Sequence, residues 1–124
     1  MRIAFLCIGL LSCSAHAADD LNKLAIASYE DVVLCVQAYG KIMSKGTATA
    51  SEIAEASLWS CNEDLSKFNK LHAERLKVIA DGEVPLDTLQ KMTADQLAAA
   101  EVRIRRASMY SVIASRTLST TKPK

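Results

Sequence analysis

Residues 34–61, LCVQAYGKIMSKGTATASEIAEASLWSC, decide the fold because they carry two cysteines on opposite sides of a turn. We expect one helix to end near Ser44 and the next to start near Ala50. At about 1.5 Å per helical residue, Cys35 lies roughly 14 Å before the turn and Cys61 roughly 17 Å after it. Both cysteines fall on the apolar faces of their helices. The spacing predicts an antiparallel helical hairpin closed by a Cys35–Cys61 disulfide.

Helical periodicity extends on both sides of this hairpin. The first helix is predicted over residues 19–45, with apolar or small residues at alternating spacings of four and three: Leu21, Ala25, Ser28, Val32, Cys35, Tyr39 and Ile42. It ends before Gly46, which suits a left-handed cap. The second helix is predicted over residues 49–81. It begins with the capping-box sequence TASE, residues 49–52.

The chain after the second helix allows two predictions. A short helix over residues 85–92 precedes a long one over residues 97–118, because Thr93-Ala-Asp-Gln96 has the sequence of a second capping box. Alternatively, residues 85–118 form one kinked helix, and the pattern leaves this open. In either case the sequence predicts an all-α, up-down-up antiparallel three-helix bundle, in which the short helix would be a fourth element.

Two faces of the last long helix compete for the core. One face consists mostly of small residues: Leu97, Ala100, Ile104, Ala107, Ser111, Ala114 and Leu118. The other face is bulkier: Ala98, Val102, Met109, Val112 and Ile113. Small residues would permit close approach of a neighbouring helix.

Residues 1–17 are predicted to be a signal peptide. Arg2 supplies a basic start, residues 3–11 supply an apolar run, and Ala15-His16-Ala17 supplies the small residues of a cleavage site after Ala17. The alternatives are a lipoprotein signal with lipid on Cys13 and a retained anchor. Each alternative places the rest of the chain outside the cytoplasm. We therefore expect a periplasmic or secreted protein.

Cleavage leaves one domain of common size, residues 18–118, followed by a flexible tail, residues 119–124. No transmembrane segment is expected after removal of the leader. Cys35 and Cys61 are then the cysteines that stay, and an even pair in an oxidising compartment is typical of a disulfide.

Charge gives only a local indication of a partner. The chain has 15 basic and 14 acidic residues, and the loss of Arg2 balances them, so nucleic acid is not an expected partner. Arg103, Arg105 and Arg106 belong to a run without acids that follows Glu101. We interpret this run as a solvated helix end that suits the helix dipole or, alternatively, as a docking surface for an acidic partner.

Trp59 is the other candidate for contact with a partner. It lies beside the apolar stripe of the second helix, which predicts a side chain at the boundary between core and surface. Such a side chain is either the edge of the core or a binding anchor, since anchors are enriched in Trp.

The first helix has an apolar face two rows wide. Either both other helices cover that face, or a homodimer or a partner does.

Motifs for catalysis or metal binding are missing from the sequence. The mature chain has one histidine, His72, so a two-histidine zinc site cannot form, and no metal or cofactor is expected. Haem held between His72 and Met43, Met92 or Met109 is the basis of an alternative function, a ligand or haem carrier. An enzyme is a further alternative, which would require a cleft with a pKa-shifted carboxylate.

Residues 28–41, SYEDVVLCVQAYGK, resemble the first helix of immunity proteins against secreted cell-wall amidases. Those proteins place their second cysteine farther along the chain than Cys61, and no functional residues are transferred from them. The resemblance implies a small helical envelope protein of the inhibitor, immunity or adaptor type. We expect non-catalytic binding to an envelope or secreted protein.

Overall fold

The computed structural model describes residues 12–121, with side chains from residue 16 onward, and these residues form four α-helices and no strand. The helices are α1 (Ser12–Met43), α2 (Ala50–Ser60), α3 (Asn62–Ala80) and α4 (Leu86–Thr120). The all-α prediction is confirmed. α1 lies against the other three helices and has its most extensive contacts with α3 and α4, while α2 packs mainly on α4.

The predicted disulfide is confirmed and joins α1 to the residue between α2 and α3. The Cα atoms of Cys35 and Cys61 are 6.0 Å apart, and the two Sγ atoms are bonded at 2.07 Å. Cys61 is buried in the core cluster, whose other buried members are Val32, Val36, Leu58, Phe68, Ala100 and Ile104. The covalent bond therefore lies at the hydrophobic core of the fold.

The second predicted helix is in fact two helices, so the three-helix topology is not confirmed. Helical geometry stops at Cys61, where φ is −100° and ψ is 20°. The backbone hydrogen bonds continue past this point, because Cys61 N–H donates to Ser57 O at 2.9 Å and Cys61 O accepts from Leu65 N–H at 3.0 Å. The residue that departs from helical geometry is the one that carries the disulfide.

Of the two predicted capping boxes, the first is confirmed. Thr49 Oγ1 accepts a hydrogen bond from Glu52 N–H at 3.2 Å, and Glu52 Oε2 accepts one from Thr49 N–H at 2.7 Å. The Thr49 backbone N–H and then its hydroxyl lower the pKa of the Glu52 carboxyl, since both donate to the charged form. α2 thus begins at a well-defined position, directly after the loop that closes the hairpin.

The second predicted capping box, at Thr93, is wrong, and no separate helix covers residues 85–92. Thr93 lies inside α4, where its hydroxyl donates to Leu89 O at 2.8 Å. With neither Gly nor Pro between residues 86 and 120, nothing interrupts the helix at Thr93. α4 is therefore one helix that starts after Pro85.

The ends of the chain differ from the predicted boundaries. α1 begins at Ser12, ahead of the predicted start at residue 19 and inside the predicted leader. Residues 1–11 lie outside the described residues. Cleavage after Ala17 and lipid on Cys13 are not tested by the structure and stay predictions. α4 continues to Thr120, inside the segment 119–124 predicted as a tail, and residues 122–124 are likewise outside the described part.

Neither predicted face of α4 turns wholly inward, because Val112 of the bulkier face is buried and Leu118 of the face of mostly small residues is exposed. Its buried residues are Ala100, Ile104, Ser108 and Val112, whereas Val102 and Ile113 are exposed. The buried Ser57 hydroxyl donates to Ala54 O at 2.8 Å and accepts from the Ser108 hydroxyl at 3.0 Å, so the polar atoms at this contact are satisfied. Gly40 of α1 packs at the same place. α1, α2 and α4 therefore meet on small side chains.

We predict that Cys35→Ser and Cys61→Ser each lower the free energy of unfolding by a similar amount, about 3.5 kcal/mol in the chain-entropy treatment of a loop of this length. The double variant should be no less stable than either single variant, because both remove the same bond. Thermal and urea unfolding measure this. Reductant serves as the control: it should lower the stability of the wild type and leave both variants unchanged. Additive losses in the double variant would contradict the bond.

We predict that Gly40→Ala destabilises the protein by about 1 kcal/mol, although alanine favours a helix by about that amount, because overpacking costs about 1–3 kcal/mol. A Cβ at Gly40 would lie 3.0 Å from the backbone O of Ser108 and 3.3 Å from Val112 Cγ2. A carbonyl inside α4 cannot rotate away. Urea unfolding measures the loss.

The matched control for this change is Gly46→Ala, whose Cβ would meet only Met43 O, at an ordinary 3.5 Å. Equal stability changes in the two variants would contradict the close packing of α1 on α4.

Candidate functional site

The side chain of Trp59 stands out on the surface, next to the disulfide. Its exposed fraction is 83 %, so the predicted position at the edge of the core is wrong. The preceding residue, Leu58, and the following cysteine, Cys61, both turn into the core. Since neighbouring residues on a helix point about 100° apart, Trp59 is directed outward.

Trp59 borders a shallow groove of about 290 Å³ between α2, α3 and α4. We call it the Trp59 groove, and its lining residues are Glu55, Leu58, Trp59, Asn62, Leu65, Glu101 and Arg105. The groove brings together two of the four residues predicted for partner binding, Trp59 and Arg105. They come from different helices, and their meeting depends on the packing of α2 on α4.

Arg105 holds two carboxylates on one side of the Trp59 groove. Its guanidinium pairs with Glu55 of α2, and its Nη2 lies 2.9 Å from Glu101 Oε1 on α4. Partly exposed ion pairs of this kind contribute little to stability. They do restrict the three side chains, because a planar guanidinium holds two carboxylates in a fixed arrangement. The floor beside the indole is therefore ordered, and one guanidinium against two carboxylates leaves one negative charge in excess.

The other two predicted arginines lie elsewhere. Arg103 lines a different groove, formed by α1, α3 and α4, and Arg106 is exposed on α4. The run from 103 to 106 therefore does not form one basic surface. The reason is geometric, because residues one or two apart on a helix point in different directions, which separates Arg105 from Arg103 and Arg106.

Arg116 has a role that the sequence interpretation missed. Its Nε donates to Ser44 O at 3.0 Å, and its Nη2 donates to Gly46 O at 3.0 Å and Ala48 O at 2.6 Å. These carbonyls belong to the end of α1 and the loop before α2. The arginine therefore fastens the hairpin loop to α4, and no local sequence signal could have revealed a contact over this separation.

The groove that contains Arg103 has a volume of about 420 Å³. Three rings lie in sequence along it: the centroids of Tyr29 and Phe68 are 5.4 Å apart, and those of Phe68 and His72 are 5.6 Å apart. His72 Nε2 is hydrogen-bonded to Gln96 Oε1 at 2.9 Å. We call this the aromatic groove. It joins α1, α3 and α4 along a face that the Trp59 groove does not include.

The structure does not place His72 and a methionine together in the aromatic groove, as the haem hypothesis would require. Met43, Met92 and Met109 do not line the aromatic groove that contains His72. Within residues 16–121, no three His, Cys, Asp or Glu side chains are grouped as metal ligands would be.

The pKa of Lys23 is raised by its hydrogen bond to Asp19 and the charge of that carboxylate, and this surface pair lies outside both grooves.

Comparisons with known proteins found no match to the chain among protein-family models, curated proteins or solved structures. None of the helices that the structure describes is both long enough and apolar enough to cross a membrane.

We predict that Arg116→Ala lowers the free energy of unfolding by about 1–3 kcal/mol, because three carbonyls lose a charged donor. Arg106→Ala is the matched control: this exposed arginine is on the same helix, and its loss should change stability by less than about 0.5 kcal/mol. Urea unfolding measures both, and hydrogen exchange of residues 44–49 should accelerate only in Arg116→Ala. Similar losses in both variants would contradict the proposed contact.

Proposed function

We propose that the protein is a non-catalytic envelope or secreted protein that binds another protein through the Trp59 groove. The observation that carries this proposal is the 83 % exposure of the indole of Trp59. An indole buries a large apolar area on contact, and Trp is among the residues most enriched at the energetic centres of interfaces. Leaving it in water costs free energy that a partner would recover.

The position of Trp59 favours tight binding because its backbone is held on both sides. Ser57 and Leu58 are buried on α2, and Cys61 is bonded to α1. A side chain on a backbone that is already ordered loses little further freedom when a partner binds. The disulfide therefore contributes to binding as well as to stability.

The chemistry of the groove defines what the partner must offer. Glu55 and Glu101 share the charge of Arg105, so this surface presents acceptor oxygens beside the indole. A complementary partner supplies an apolar pocket for Trp59 and hydrogen-bond donors for the two carboxylates. This differs from the acidic partner suggested by the arginine run alone.

The disulfide also indicates the compartment. An intramolecular disulfide is typical of an oxidising environment, which means the periplasm or the extracellular space. Cleavage after Ala17 is part of the proposal. It would leave the Trp59 groove complete, because every residue that lines it follows residue 54.

We predict that an immobilised chain of residues 18–124 retains a specific protein from an envelope extract, and that Trp59→Ala weakens this binding at least about thirtyfold. The melting temperature of the variant should equal that of the wild type, because the indole makes little contact with the core. Capture followed by mass spectrometry, and then titration of the retained protein, measures both quantities.

The matched control is Tyr110→Ala, which removes another aromatic side chain, 77 % exposed, that does not line the Trp59 groove. This variant should retain the partner as the wild type does. Equal retention by Trp59→Ala and the wild type would contradict the proposal. A homodimer that uses the groove would appear as concentration-dependent sedimentation, abolished by Trp59→Ala, and would replace the foreign partner by a second copy.

A further inference from the structure

We propose that the aromatic groove is a binding site for a small organic anion, an aryl carboxylate, independent of the Trp59 groove. The site combines a wall of neighbouring, mutually tilted rings with two arginines, Arg75 and Arg103. Its volume of about 420 Å³ falls within the range of small-molecule sites, about 300–1,000 Å³.

The wall of the groove suits a flat apolar body. Tyr29, Phe68 and His72 follow one another at centroid distances of 5.4 and 5.6 Å, with interplanar angles of 59° and 34°. These are the separations at which aromatic rings attract one another. Ala99 and Ala100 of α4 also line the groove, and their small side chains leave room for an inserted ring. An aryl group would contact the rings and these small side chains of α4.

The charge of the groove requires an anion. Arg75 and Arg103 line it, and none of its described lining residues is acidic. Arg75 Nε is buried and has no hydrogen-bond partner among the described atoms. A buried donor without a partner costs free energy. Nε itself is closed to solvent, so an entering carboxylate would pair with the Arg75 guanidinium, through a charge-assisted hydrogen bond, after the side chain turns toward the groove. By contrast, Arg105 of the Trp59 groove already has two carboxylates.

His72 and Gln96 complete the polar part of the site. His72 Nε2 and Gln96 Oε1 are 2.9 Å apart, which connects α3 to α4 beside the arginines. This contact fixes the imidazole in the row of rings. The first lining residue in the chain is Ala25, so cleavage after Ala17 would leave the site intact.

The test uses 2-naphthoate as the probe and 2-naphthylmethanol as its neutral counterpart, titrated into residues 18–124 by calorimetry. We expect saturable one-to-one binding of the naphthoate, at least about tenfold tighter than that of the alcohol, because a charge-assisted hydrogen bond distinguishes them. In NMR spectra the naphthoate should shift the His72 ring and Gln96 side-chain signals.

Arg75→Gln and Arg103→Gln should each remove most of the preference for the anion, and Arg106→Gln is the matched control, since Arg106 does not line the groove. Arg103 is exposed, so its variant decides the test if Arg75→Gln does not fold. Equal affinity for the alcohol, an unchanged preference in Arg103→Gln, or no saturable binding would overturn the proposal. So would concentration-dependent dimerisation that protects this groove from hydrogen exchange.

Discussion

The bond between Cys35 and Cys61 joins the C-terminal third of α1 to the residue between α2 and α3. Cys61 is at once the end of α2, the start of α3 and a buried member of the core. A domain of this size has a modest core, so one covalent bond is a large share of its net stability. The same bond fixes the backbone from which Trp59 projects. Stability and the proposed binding surface thus depend on one constraint.

Small side chains make the second essential contact. Gly40, Ser57 and Ser108 let three helices approach where larger residues would separate them. This packing also determines which residues of α4 are exposed. When α4 turns the face that contains Ser108 inward, bulky residues such as Val102 and Ile113 remain outside. The packing that closes the core therefore also produces the apolar parts of the surface, and it sets which arginines share a groove.

Much of the fold could be predicted, because the signals were periodic or covalent. Helical spacing and the two cysteines were sufficient for an all-α hairpin with a Cys35–Cys61 bond. The errors had two causes. Thr93 has the sequence of a cap but lies within α4, where neither Gly nor Pro interrupts the helix, and Cys61, which is bonded to α1, departs from helical geometry inside a continuous pattern. The candidate site was predicted only in part. The exposure of Trp59 and the three carbonyl contacts of Arg116 depend on packing between distant segments.

The most direct test of the central claim is a peptide map of the protein purified from the cell envelope without reductant. Trypsin should release residues 24–41 and 46–67 as one disulfide-linked pair, whose mass equals the sum of the two peptides less two hydrogens, and reduction should separate them. That result would establish the Cys35–Cys61 bond in its native compartment. Free thiols on both peptides, or a bond from either cysteine to another partner, would contradict the account of the fold and of the surface built on it.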